Sequence, residues 1–104
     1  MNEFNFAANK SELSDGEKLL VEVDDRLVIL FQQGDQYFCL DDVCTHDGGT
    51  LSDGEFCNFE ISCPRHGARF DVRNGAAICM PATQATNCFE VKVDGDKIFV
   101  KIAE

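Results

Sequence analysis

No run in this 104-residue chain is apolar for long enough to cross a bilayer, which takes about 20 residues. Residues 1–9 alternate phenylalanine with polar side chains, where a signal peptide needs a continuous apolar core. The expectation is a cytoplasmic protein with no membrane anchor. Basic residues are scarce too: nine Lys and Arg face nineteen Asp and Glu, for a net charge of −10. So acidic a surface disfavours nucleic acid and anionic membranes as partners. It suits solubility, or encounters with basic patches on other proteins. Helical periodicity is weak throughout, and only residues 9–13 could form a brief turn. No repeat, low-complexity tract or linker divides the chain. Residues 1–104 therefore read as one domain, small enough to benefit from a metal staple.

What is present is alternation. Apolar residues alternate in Leu19, Val21 and Val23, and again in Leu27, Ile29 and Phe31, with Asp24-Asp25-Arg26 between them as a turn. Gln32-Gln33-Gly34-Asp35 turns into a strand-like run over 36–40. Near the other end Phe89, Val91 and Val93 alternate, Asp94-Gly95-Asp96 turns, and Ile98, Val100 and Ile102 alternate back. An Asp-Gly pair between two alternating runs is a strong hairpin signal. The chain reads as all-β, an antiparallel sandwich-like base into which a loop-rich segment, about 43–82, is inserted.

That inserted segment holds both histidines of the chain. Cys44-Thr45-His46 is followed, after sixteen residues, by Cys63-Pro64-Arg65-His66. Each half offers one soft thiolate and one imidazole at short spacing, so the pair of halves can wrap a single metal-sized target. Two Cys and two His suit tetrahedral zinc or an iron–sulfur centre with mixed ligands. Zinc modules space their ligands more evenly, and the one-residue gap in Cys44-x-His46 disfavours a structural zinc site. A nucleophilic Cys–His pair would leave the second pair unexplained. Four other cysteines are scattered. Cys39 and Cys88, both in strand-like runs, are expected to be buried thiols acting as small hydrophobes. For Cys57 and Cys79, nearer the motif, packing is favoured over a redox role.

The neighbours of the four ligands carry a resemblance. Asp42-Val43-Cys44-Thr45-His46-Asp47-Gly48-Gly49 and Cys63-Pro64-Arg65-His66-Gly67-Ala68-Arg69-Phe70-Asp71 resemble the two cluster-binding loops of Rieske proteins. Gly75-Ala76-Ala77-Ile78-Cys79-Met80-Pro81-Ala82 is similar to the family's proline loop. In length and motif the chain is most similar to the short ferredoxins of bacterial ring-hydroxylating dioxygenase systems. The resemblance implies one Rieske-type 2Fe–2S cluster, with Cys44 and Cys63 on the inner iron and His46 and His66 on the outer. It implies a monomeric one-electron carrier with no catalytic residues of its own, since 104 residues leave no room for a mononuclear-iron catalytic domain. Its partners would be an NAD(P)H-dependent reductase, a flavoprotein, and a terminal oxygenase. A small Rieske-like subunit of a nitrite reductase is the alternative, though such subunits often lack the ligands that are complete here.

The resemblance also bears on potential. Two ferric irons, two sulfides and two thiolates with neutral imidazoles sum to zero charge, so an electron is added more easily than to a four-thiolate cluster. The histidine rings would serve as both ligands and electron exit. Gly49 and Arg65 stand where high-potential relatives carry an extra, disulfide-bonded Cys pair, and Ala68 and Phe70 stand where those relatives carry hydroxyls that donate to sulfur. Fewer donors imply a potential near the low end of the Rieske range, about −150 mV. Gly48, Gly49 and Gly67 are expected in tight turns around the cluster, Pro64 and Pro81 as loop-stiffening or shielding residues, and Asp71 as a loop-structuring residue. Arg65 is expected either at a docking contact or in solvent.

Overall fold

The computed structural model describes residues 4–43, 50–63, 67–79 and 85–102. Cys44, His46, Gly48, Gly49, Pro64, Arg65, His66 and Pro81 lie outside the described residues. The alternating runs form strands: β1 Asn5–Asn9, β2 Lys18–Val23, β3 Arg26–Gln33 and β4 Gln36–Asp41, then β9 Cys88–Asp94 and β10 Lys97–Lys101. These pair antiparallel in the order β1-β10-β9-β4-β3-β2, and the two outer strands β1 and β2 lie against each other, so the sheet curls around its own interior. A 3₁₀ turn, Lys10–Glu12, falls where the brief turn was expected. Among the described residues no helix is long and apolar enough to cross a membrane.

Two details of the base depart from the sequence reading. The first residues, read only as an argument against a signal peptide, form β1; its Phe6 meets the ring of Phe99 edge-on at 6.1 Å. Alternation with polar residues was itself the strand signal. Arg26, placed in a turn, instead begins β3, because Asp24 and Asp25 alone make the tight turn, at φ of 53° and 62°. Its guanidinium then reaches across to Asp41, with Nε and Nη2 donating at 3.3 and 2.9 Å, and lies over the Phe89 ring.

Residues 28–31 are wholly buried, and the two-residue period of a strand splits them between two cores. Val28 and Leu30, with Cys39, face the interior of the curled sheet and pack with Ala8, Val23, Phe89, Ile98 and Val100. Ile29 and Phe31, with Leu40, face the other way, onto Leu51, Ile61, Cys63, Ala68, Phe70 and Val72. Those residues belong to the inserted segment. There β5 Phe56–Cys57, β6 Glu60–Ser62, β7 Arg69–Asp71 and β8 Ala77–Cys79 make a second antiparallel sheet in sequential order. Strands of two or three residues are too short to show alternation, so the sequence presented this region as loops.

The small sheet is fixed to the base by aromatic rings. Phe31 meets Phe56 at 4.8 Å, and Phe38 meets Phe59 edge-on at 5.9 Å. Phe59 sits at φ of 65°, an uncommon conformation for a bulky residue, in the tight turn between β5 and β6. Its ring also carries the Arg73 guanidinium at 4.7 Å, and its carbonyl accepts from Val72 N at 2.9 Å. Packing on two sides offsets the backbone strain.

Candidate metal centre

Of the four expected ligands, the described residues contain Cys63. It follows β6 and is 2% exposed, packed in the core shared by the small sheet and the base. Its backbone N–H donates to Ala68 O at 2.6 Å, and its carbonyl accepts from Gly67 N at 3.1 Å. The chain on either side of 64–66 is thereby tied together. Ala68 and Phe70, both fully buried, pack in the same core and bring no hydroxyl to it.

The chain on either side of 44–49 is tied as well. Asp42, 6% exposed, turns its carboxylate onto the residues that follow 44–49. Leu51 N and Ser52 N both donate to Oδ1 at 2.8 Å, and Ser52 Oγ donates to Oδ2 at 3.2 Å. Leu51 then shares the core with Cys63, so the roots of the two ligand-bearing segments are adjacent. A third tie comes from Thr86, just after 80–84: its hydroxyl donates to Val43 O at 3.0 Å and its N–H to Gly75 O at 2.8 Å. Gly75 is required at this approach, since a Cβ there would run into the Thr86 carbonyl and its φ is 79°. Sequence reasoning quoted Asp42 inside a motif without seeing what it does. Thr86 carried no signal, because its partner lies 43 residues away.

Asp71 structures its turn as expected. Arg73 donates to its carboxylate from N and Nε at 2.9 Å and from Nη2 at 2.8 Å, while Gly75 N donates to its carbonyl at 2.6 Å. The Arg73 side chain holds the Asp71 carboxyl below its usual range, against partial burial that pushes it up. A carboxyl depressed in the folded state stabilises above its unfolded pKa, about 3.9, and that contribution fades as pH falls through the folded value. The Tm advantage of the native protein over Arg73→Ala is therefore expected to be constant from pH 7 to about 5 and to shrink below pH 4. What remains in acid reports the guanidinium stacked on Phe59.

The remaining thiols correct two expectations. Cys39 is fully buried as expected, and burial pushes its thiol up, helped by Cys88 and Asp41. Cys88 is exposed, not buried. It precedes Phe89, which takes the inward position, so the period of two turns Cys88 outward, where its Sγ lies 3.7 Å from Arg73 O. Cys57 is exposed as well, at the end of two-residue β5, and not packed. The side chain of Cys79 lies outside the described residues. Among the described residues no other cluster of His, Cys, Asp or Glu could hold a metal.

Two thiolates and two imidazoles, with Cys63 sealed in an apolar core, fit a mixed-ligand iron–sulfur cluster. A family model described as the Rieske [2Fe-2S] domain matches residues 3–90. The chain is 34% identical over 92 residues, 88% of each chain, to the ferredoxin component of a naphthalene 1,2-dioxygenase system from Pseudomonas aeruginosa. It superposes on the ferredoxin of carbazole 1,9a-dioxygenase from Nocardioides aromaticivorans with a TM-score of 0.90 at 32% identity, covering 94% of this chain and 96% of that one. A chain in the solved complex of reduced oxygenase and oxidized ferredoxin of carbazole 1,9a-dioxygenase matches over the full length of both, with a TM-score of 0.88 at 29% identity.

Proposed function

This chain belongs to the Rieske [2Fe-2S] domain family, and from that membership we propose that it is the ferredoxin of a ring-hydroxylating dioxygenase system, passing single electrons to a terminal oxygenase. It is an electron-transfer component and not a catalytic subunit. The observation that carries this reading is the match to dioxygenase ferredoxins over most of the length of both chains, 88% in sequence and 94% in structure of this one. The donor at the other end is an NAD(P)H-dependent reductase, a flavoprotein, and the protein works as a cytoplasmic monomer.

Cys44 and Cys63 would hold the inner iron, His46 and His66 the outer. When bound, the cluster accepts and releases one electron at a time. The chain supplies the rest. It buries Cys63 away from water, ties the ligand-bearing segments at their roots, and offers no hydroxyl at Ala68 or Phe70 to draw charge from sulfur. The midpoint potential should accordingly fall near −150 mV, roughly the bottom of the Rieske range. The purified protein should be red-brown, with about two irons and two acid-labile sulfides per chain. A colourless protein with one zinc per chain, or a potential several hundred millivolts higher, would contradict the reading.

A net charge of −10 implies steered encounters. The Debye length falls from about 10 Å at 0.1 M salt to about 3 Å at 1 M. Reduction by the reductase, followed by stopped flow, is expected to slow markedly over that range while the midpoint potential hardly moves. A salt-insensitive rate would retire charge-steered docking and leave the cluster assignment standing.

A further inference from the structure

We propose that Asp42 and Thr86 form a clasp that holds the ligand-bearing segments in their cluster-retaining shape, acting as positioning residues that do not themselves touch iron. The proposal rests on the carrier reading above. Both side chains are nearly inaccessible, 6% and 5% exposed, and neither is used in packing the apolar cores. Their polar atoms are spent on the roots of the cluster segments. The Asp42 carboxylate closes the 43–50 segment by accepting from two successive backbone N–H groups and one hydroxyl. Thr86 joins the Val43 carbonyl, next to Cys44, to the Gly75 carbonyl, and so fastens the first segment to the one that begins after β8.

The physical consequence concerns preorganisation. Cys44 and His46 lie on the chain between Asp42 and Leu51, so this one carboxylate fixes where that chain leaves the base and where it returns. Removing it frees two N–H groups, one on fully buried Leu51, and releases the segment to sample other shapes. Ligands that must be re-ordered at each rebinding lose metal faster than ligands already in place. Outer groups that orient metal ligands typically contribute roughly 10- to 100-fold in metal affinity. Because both backbone donors go to Oδ1 alone, an asparagine whose amide oxygen takes that position keeps them, while its NH₂ meets Ser52 Oγ as an acceptor. The asparagine variant should therefore rescue what alanine loses.

The test measures cluster loss from the holoprotein to an excess of the iron chelator bathophenanthroline, followed as decay of visible absorbance. Global Tm and the reduced-state EPR spectrum are recorded alongside. Asp42→Ala is expected to lose the cluster about tenfold faster or more and to shift or broaden the g-values, with Asp42→Asn close to the native protein. Thr86→Val, similar in shape, should accelerate loss, and Thr86→Ser should restore it. Wild-type loss rates in both Asp42→Ala and Thr86→Val overturn the clasp, and so does Asp42→Asn behaving like Asp42→Ala. Acceleration that matches each variant's global unfolding rate, with unaltered EPR, also overturns it, since that would be ordinary structural damage. Should Asp42→Ala not fold, the Thr86 pair decides. A wild-type protein that binds no iron sinks the carrier reading, whereas an iron-loaded wild type with unresponsive variants sinks only the clasp.

Discussion

Cys63→Ala and His66→Ala are each expected to abolish the red-brown chromophore, with iron and acid-labile sulfide falling well below two per chain. On the proposed assignment the two would act on different irons of the same centre. Cys63 is buried at 2% exposure, in a core built by Leu51, Ile61, Ala68 and Phe70 from the inserted segment. Water could not readily take the place of its thiolate there, so the inner iron of the proposed cluster would be left a ligand short. On the proposed assignment His66 would be its counterpart on the outer iron, and alanine would open that iron to solvent. Arg65→Ala is the control: adjacent in sequence and charged, but with no ligand to offer, it should keep the cluster and at most weaken partner docking. Retention of an unaltered reduced-state EPR signal by His66→Ala would show that the ligand assignment is wrong.

Gly54→Ala is expected to destabilise the protein by about 3 kcal/mol or more, the upper end of what overpacking does. Gly54 lies in the turn between the first ligand segment and β5, its N–H donating to Leu51 O at 2.9 Å. A Cβ at this position would run into the backbone carbonyl oxygen of Ser62, with Leu51 O only 3.2 Å away. A flexible side chain could step aside, but these are backbone atoms. Ser62 is also held by its N–H donating to Glu55 O at 3.0 Å. For a domain of this size, 1 kcal/mol moves Tm by about 4–8 °C. A fall of roughly 12 °C or more in a thermal melt is the expected result, and a fall under about 3 °C would mean that β6 can move away from the turn. Gly16→Ala is a useful comparison, because a Cβ there meets nothing within 4 Å and only its φ of 83° opposes the change.

Strands β2, β3, β4, β9 and β10 of the base were legible because each is at least five residues long and buries one face or splits two. In β4, Tyr37 and Cys39 go to one core and Phe38 and Leu40 to the other, so the period of two is written in the side chains. Cys39 could be assigned on that ground, but Cys88 could not, since its orientation depends on Phe89 claiming the interior. The donor set is proposed from spacing and from the company of Gly48, Gly67 and Pro64. The supports beneath it were not. Asp42 bonds nine and ten residues ahead, and Thr86 bonds 43 residues back. Pairings of that kind are created by the fold, and no local pattern announces them.

The strand shared by both cores has an implication for how the two parts of the molecule depend on each other. β3 is a party wall: one face completes the curled base and the other completes the electron-carrying end. Neither part owns a full set of apolar neighbours. Were residues 43–82 excised, Ile29, Phe31 and Leu40 would stand bare as a contiguous greasy surface inviting self-association, and the excised piece would have only half an interior. The cluster-bearing region is thus an inseparable annex of the base.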